Sequence, residues 1–266
     1  MVDIIGQKTL LKTLDSYTIQ TLPKTMLFLG EAGCGKRIVA RHLADRLGLD
    51  FVIIENNTTS DQLIEFAQKP LKTIYFIDLS AFTEKAQNQF LKFVEEPADS
   101  VYVIMAAKSE IGILPTILSR GIKHHFEAYS EEQLKQFEWM VSKPNALVYK
   151  ICRTPGQLAD IDGDRLVELY KLCKNIAKNI KKASYANTLS IALKINFRED
   201  YSKFDFETFF NVLEYAAFEE YKETNTKESF ITYQLTNKYR QQLSNRSVAK
   251  ESFTLNFLST LWEAVR

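Results

Sequence analysis

Continuous rather than alternating apolar runs punctuate the first half of the chain: Met26-Leu27-Phe28-Leu29, Phe51-Val52-Ile53-Ile54, Ile74-Tyr75-Phe76-Ile77 and Val101 to Ala107. A strand that is apolar at every position has both faces covered, as in a parallel sheet between helices. The stretches between the runs follow the helical period instead. Leu10, Leu11 and Leu14 share a face after Ile4-Ile5-Gly6-Gln7, and Ile38 to Ala44 follows the first run. Asn56 to Gln62 supplies a loop and helix start for Leu63-Ile64-Glu65-Phe66, with Pro70 closing that helix. Thr83 is placed to cap a helix from Glu84 to Glu96, whose stripe is Ala86, Phe90, Leu91 and Val94 and which Pro97 ends. With a short strand at 122–126, strands and helices alternate, which predicts an α/β fold on a parallel sheet.

Beyond Phe126 the pattern becomes helix after helix. Ser130-Glu131-Glu132-Gln133 has the form of a capping box, and Leu134, Phe137 and Met140 continue on one face. Leu166, Leu169, Tyr170, Cys173, Ala177 and Ile180 form one long stripe. Further helices are expected at Phe206-Phe209-Phe210-Leu213-Ala217, around Phe230 to Leu243, and at Leu255-Leu258-Leu261-Trp262-Val265, with Phe204 and its aromatic neighbours in the core. The expected domains are therefore 1–128, the α/β domain; 129–164, a small helical lid; and 165–266, an all-α domain.

A chain of 266 residues with 45 % hydrophobic content can build more than one core. Its net charge of +1 and pI of about 7.6 give no global basic field, so any nucleic-acid contact must be local. The local candidate is Lys171, Lys174, Lys178 and Lys182, a stripe offset from the apolar face by more than a right angle at about 100° per residue. It reads as a solvated face, with phosphate contact as the alternative. Cys34, Cys152 and Cys173 are odd in number and widely spaced, as reduced thiols in a cytoplasmic protein are, and they form no zinc module. The N-terminus lacks a signal layout and no apolar run is long enough to span a bilayer, so no membrane contact is expected. His42, His124 and His125 stand near no nucleophile at a suggestive spacing.

The chemistry concentrates at Gly30-Glu31-Ala32-Gly33-Cys34-Gly35-Lys36-Arg37, between a strand and a helix. This is the layout of a P-loop, in which small residues let backbone N–H groups surround a phosphate at a helix N-terminus and Lys36 reaches the terminal phosphates. The last position departs from it. Where a Ser or Thr hydroxyl would ligate Mg²⁺, Arg37 has donors only and a positive charge. Asp78, at the C-terminal end of its strand, is in the position of a Walker B acid, but Leu79 replaces the following Glu that polarises the attacking water. Asp78 then reads either as a metal ligand or as a carboxylate capping a turn.

The order of Ile4-Ile5-Gly6-Gln7, the P-loop, Asp78, the run from Asn88 to Pro97 ending Lys92-Phe93-Val94-Glu95-Glu96-Pro97, and Leu114-Pro115-Thr116-Ile117-Leu118-Ser119-Arg120 resembles the AAA+ subunits of bacterial DNA polymerase III clamp loaders. The resemblance covers the α/β domain and lid, and within that group the altered P-loop and Asp78-Leu79 look most like delta-prime subunits. It implies a clamp-loader subunit that supports sliding-clamp loading in DNA replication without hydrolysing ATP. It also implies weak or absent ATP binding at a degenerate site of Gly30, Gly33, Gly35, Lys36, Arg37 and Asp78, with no required cofactor or metal. Arg120, with Ser119, would act in trans on a neighbouring ATPase subunit. The implied partners are delta and tau/gamma-type subunits, with the sliding clamp and primer-template DNA met through the assembled complex. The last helical domain would be a collar that joins the ring.

The chain departs from that family in four places. It lacks the four-cysteine zinc module of many relatives, and Gly121 stands where the Ser-Arg-Cys motif has cysteine. Ala106, Ala107 and Lys108 occupy the end of a strand where a polar sensor is expected, and Pro155-Gly156-Gln157-Leu158-Ala159 resembles the second sensor segment without its basic residue. Two other readings stand beside the first: an ATP-hydrolysing subunit of the tau/gamma type that tolerates Arg37 and Leu79, and a small P-loop kinase or unrelated NTPase, which leaves the Ser-Arg segment unexplained. Arg120 has its own alternative, an exposed pair with a surface carboxylate.

Overall fold

Five parallel strands, β1 (Thr25–Leu29), β2 (Asp50–Ile54), β3 (Thr73–Asp78), β4 (Val101–Ala107) and β5 (Ile122–His125), form one sheet in the order β2-β3-β4-β1-β5. The computed structural model describes residues 4–67, 71–95, 98–187, 190, 206–243 and 250–266. Pro70, Glu96, Pro97 and Phe204, assigned above to helix ends and core, lie outside the described residues. The chain divides into two compact units, Met1–Met140 with Cys152–Asp160, and Val141–Ile151 with Ile161–Arg266. Residues of the expected lid are thus shared between the two units.

The helices of the first unit are α1 (Lys8–Asp15), α2 (Lys36–Leu47), α3 (Ser60–Ala67), α4 (Glu84–Gln87), α5 (Leu91–Glu95), α6 (Pro115–Leu118) and α7 (Glu131–Lys135), and after an excursion through α8 (Ala146–Ile151) the chain returns with α9 (Pro155–Ala159). The continuous apolar strands are explained by two cores, one on each face of the sheet. Met26, Phe28, Ile74, Phe76, Tyr102 and Ile104 meet Leu10, Leu14, Val39 and Leu43 of α1 and α2. Leu27, Leu29, Tyr75, Ile77, Val103 and Met105 meet Leu63, Phe90, Phe93 and Ile117 on the other face. Side chains of a strand alternate between faces, so every apolar position of the central strands β1, β3 and β4 is buried. Each large side chain so removed from water contributes about 1.5–3 kcal/mol before chain entropy is set against it.

Two local expectations change. β2 is not buried throughout: it is an edge strand, with Phe51 and Val52 half-buried and Ile53 exposed, because a terminal strand has a neighbour on one side only. The helix expected over 84–96 is wound in pieces, with a 3₁₀ turn at Asn88–Phe90 between α4 and α5. The tightening begins after Gln87, which is 2 % exposed. Its amide donates to Gly112 O at 2.7 Å and accepts from Leu114 N at 3.1 Å. Thr83 caps α4 as expected, accepting from Ala86 N, and Ser130 with Gln133 forms the reciprocal capping box of α7.

The second unit is built on α10 (Gly163–Asn179), α11 (Phe206–Thr224), α12 (Lys227–Leu243) and α13 (Lys250–Ala264). Asp162 starts α10 by accepting from the N–H groups of Asp164 and Arg165. Leu166, Leu169, Cys173, Ala177 and Ile180 are buried along its apolar stripe. Phe209, Phe210 and Phe257 are core residues, and Phe210 meets Phe253 and Phe257 edge to face. Glu214 and Arg240 form a largely buried ion pair between α11 and α12, and Asn237 donates to the same carboxylate at 2.8 Å. Among the described residues no helix is long and apolar enough to cross a membrane.

The lysine stripe is partly neutralised within this unit. Lys174 pairs with Glu223 at 3.2 Å, and Lys178 lies 3.6 Å from Glu220 and 3.8 Å from Glu223. Lys171 and Lys182 remain exposed. Two of the four charges are therefore paired with carboxylates of α11 at the surface, which favours the solvated-face reading over a phosphate track.

Candidate functional site

The P-loop joins β1 to α2, as its sequence context requires. Gly30 N continues the sheet by donating to Ala107 O at 3.1 Å. Gly33 and Gly35 take φ of +75° and +94°, the left-handed region that glycine enters without a Cβ penalty. A Cβ at Gly30 would stand 2.6 Å from the Cβ of Phe126, so that glycine serves close approach.

The loop's carbonyl groups are held by the chain itself. Lys36 Nζ donates to Gly30 O at 2.6 Å and to Glu31 O at 2.8 Å. Thr154 Oγ1 donates to Ala32 O at 2.8 Å, and Gly156 N donates to Gly33 O at 3.0 Å. The Tyr129 hydroxyl donates to Cys34 O at 3.2 Å. Five consecutive carbonyls are thereby bonded, and the ammonium that would meet terminal phosphates is turned back onto two of them. Glu31 also pairs with Lys108 at 3.2 Å, which gives a partner to the residue at the expected sensor position.

Two further contacts close this region. The α9 N-terminus lies directly on the loop: an added Cβ on Gly156 would come 2.4 Å from Gly33 Cα. On the other side, Gly6 is close enough to Tyr129 that a Cβ there would meet its ring at 3.0 Å. Gln7 and Glu127 exchange two hydrogen bonds, Gln7 Nε2 to Glu127 O at 2.7 Å and Glu127 N to Gln7 Oε1 at 2.9 Å. The Cys34 thiol is buried, and burial pushes its pKa up against the opposing effect of the Lys36 charge; it is a packed thiol, not an activated one. His124 is likewise a core residue, edge-on to Phe28, its pKa lowered by burial and then by His125.

The position that would ligate the Mg²⁺ of a bound nucleotide carries no oxygen ligand. Arg37 is exposed and offers no oxygen. Asp78 is at the end of β3, where Oδ1 accepts from Ser80 N at 3.0 Å, the turn-capping role weighed above. Among the described residues no group of three or more His, Cys, Asp or Glu side chains is arranged to hold a metal ion.

Ser119 and Arg120 lie away from this loop in sequence, at the end of α6. Pro115 opens that helix, and Ser119 Oγ donates to Thr116 O at 3.1 Å. Arg120 Nη1 donates to Thr116 O at 2.9 Å, while Nη2 lies 3.1 Å from Glu95 Oε1 of α5. Both charged side chains are 40 % exposed. Gly121 is needed where it is: a Cβ would meet Leu27 at 2.6 Å.

Thr154 and Tyr129 are the residues that reading the sequence missed as parts of these sites; Gly156 and Glu95 stood in segments it singled out, without the contacts they make here. Thr154-Pro155 does carry a helix-start signature, and Thr154 caps α9. Nothing local announces that the same hydroxyl reaches Ala32. Replacing Thr154 by Val, which keeps the shape and removes the hydroxyl, is expected to cost about 1 kcal/mol of stability. Chemical denaturation of the full chain checks this, and an unchanged midpoint would mean that water fully replaces the bond.

Fold and loop together define a P-loop protein of the AAA+ architecture. The solved structure of the Thermotoga maritima RuvB Holliday junction branch migration motor aligns over 84 % of this chain and 96 % of its own, with a TM-score of 0.52 at 14 % identity, a likeness of fold. Residues 65–130 match the family model described as DNA polymerase III, delta subunit. Asp78, Glu95 and Arg120 fall inside that match and the P-loop outside it. The DNA polymerase III subunit delta' of Haemophilus influenzae is 31 % identical over 97 residues, 36 % of this chain and 29 % of that protein. An uncharacterized protein of Mycoplasma pneumoniae, the MG007 homolog, is 28 % identical over 156 residues, 54 % of this chain and 60 % of that protein. The chain thus spans less than two thirds of either curated relative. Over part of its length, residues 65–130, the chain is similar to delta-type subunits of DNA polymerase III.

Proposed function

We propose that this chain is a delta-prime-like subunit of a DNA polymerase III clamp loader, acting in the cytoplasm, that does not hydrolyse ATP. It would serve sliding-clamp loading as a structural and trans-acting member of the ring. The observation that carries this reading is Arg37 in place of the Mg²⁺ hydroxyl, beside a Lys36 whose ammonium bonds Gly30 O and Glu31 O. The family match supports the assembly, since it covers the segment with Arg120. Delta and tau/gamma-type subunits are the proposed direct partners, with the clamp and primer-template DNA met through the complex.

The tau/gamma-type reading draws support from the intact glycines and Lys36. ATP affinity and turnover separate the two. The full chain is expected to show no turnover in the ordinary enzymatic range of about 1–10³ s⁻¹. Arg37→Thr is expected to gain roughly tenfold in Mg²⁺-dependent affinity, the order of one charge-assisted contact, without gaining hydrolysis, because Leu79 still replaces the polarising Glu. Turnover in that range, abolished by Lys36→Ala, would overturn the proposal in favour of an ATPase subunit.

A further inference from the structure

The Arg120 guanidinium is held by two acceptors of different kinds. Nη1 donates to a neutral carbonyl, Thr116 O, at 2.9 Å and lies 3.5 Å from Ser119 Oγ, while Nη2 lies 3.1 Å from the anionic Oε1 of Glu95. These two terminal amines are the donors with which a guanidinium grips a phosphate in a fork. The Thr116 contact is local to α6 and fixes the side chain's direction. The Glu95 contact comes from a different helix and supplies the charge.

An exposed pair of this type contributes only about 0.2–1 kcal/mol to folding, so stability is a weak reason for it. Its electrostatic consequence is larger for a ligand than for the fold. An arriving phosphate must displace one anion before it can take both amines, and the displaced carboxylate then stands close to the new negative charge.

We propose that Glu95 is a competing anion that occupies Arg120 until a phosphoryl group of a neighbouring subunit's nucleotide displaces it. Glu95 then sets how readily the assembled complex engages that nucleotide. The inference rests on the trans role proposed for Arg120. It adds a residue that tunes affinity while the bond to Thr116 keeps the arginine's orientation.

Glu95→Gln keeps the shape and removes the charge. In the loader reconstituted with its partner ATPase subunits, this variant should lower the KM for ATP about two- to fivefold, as the loss of an exposed ion pair implies, with kcat unchanged. In the isolated full chain, modification of Arg120 by phenylglyoxal, followed by mass spectrometry of its peptide, should become several-fold faster. A fall in kcat with unchanged KM would overturn the inference and make Glu95 a positioning group. Unchanged KM and unchanged Arg120 reactivity would overturn it as well, leaving a plain surface pair. Arg120→Ala measured in parallel tells the two levels apart. If it lowers kcat while Glu95→Gln changes nothing, the competing-anion role alone fails; if it is silent, the trans reading falls and this inference with it.

Discussion

Arg120→Ala is expected to lower ATP hydrolysis at the neighbouring site of an assembled loader by about 10³-fold, the lower end of what an arginine supplied in trans contributes to phosphoryl transfer. The expectation comes from charge. During transfer, negative charge spreads over the oxygens of the γ-phosphoryl group, and a forked guanidinium stabilises that distribution more than the ground state. Arg120 is suited to this by its place: it follows a short helix, its head is 40 % exposed, and its direction is set by Thr116 O. Folding should be almost indifferent to the change, since among the described residues the ion pair lost is the exposed one to Glu95. Arg120→Lys should recover little, because an ammonium cannot form two parallel contacts. The measurement is the clamp- and DNA-stimulated ATPase of the reconstituted complex, with thermal melting of the isolated chain as the folding control. Unaltered hydrolysis and clamp loading by the Arg120→Ala complex would rule out the trans role.

Gly156→Ala should destabilise the first unit by about 1–3 kcal/mol, the usual cost of forcing an extra methyl into a filled space. The added carbon would lie 2.4 Å from Gly33 Cα. That neighbour is backbone, on a residue with φ of +75°, so it cannot swing aside as a side-chain tip would. Relief requires α9 to move off the loop, which breaks the Gly156 N to Gly33 O bond and weakens that from Thr154 Oγ1 to Ala32 O. Tm should fall by roughly 2–4 °C for each kcal/mol in a unit of this size, and amide exchange at Gly156 should accelerate. A variant that melts like the parent and retains slow exchange at that amide would show that the contact is looser than the geometry indicates.

Much of the fold is legible in the chain. The continuous runs at 26–29, 74–77 and 101–107 identify central strands, because burial on both faces leaves no polar position. The glycine pattern before Lys36 locates the loop, since only those residues reach left-handed backbone there, and Thr83 and Ser130 announce their helices through hydroxyls that act within four residues. The errors share a cause. The 51–54 run looks like a central strand because apolar content does not record how many neighbours a strand has, and the interruption after Gln87 depends on an amide gripping a loop near Gly112 and Leu114.

The sequence by itself determined the α/β unit followed by helices, the P-loop's position, and the chemical facts that Arg37 has no acceptor oxygen and Leu79 no carboxylate. These are properties of residue type and short spacing, which a periodic pattern carries directly. Only the tertiary structure decided that Lys36 turns back onto Gly30 and Glu31, that Thr154, Gly156 and Tyr129 hold the following carbonyls, and that Arg120 meets Glu95. Each of the last four contacts joins segments far apart in the chain. The period of a helix or strand specifies which face a side chain occupies, whereas a hydrogen-bond partner within about 3 Å is set by how those faces are finally packed.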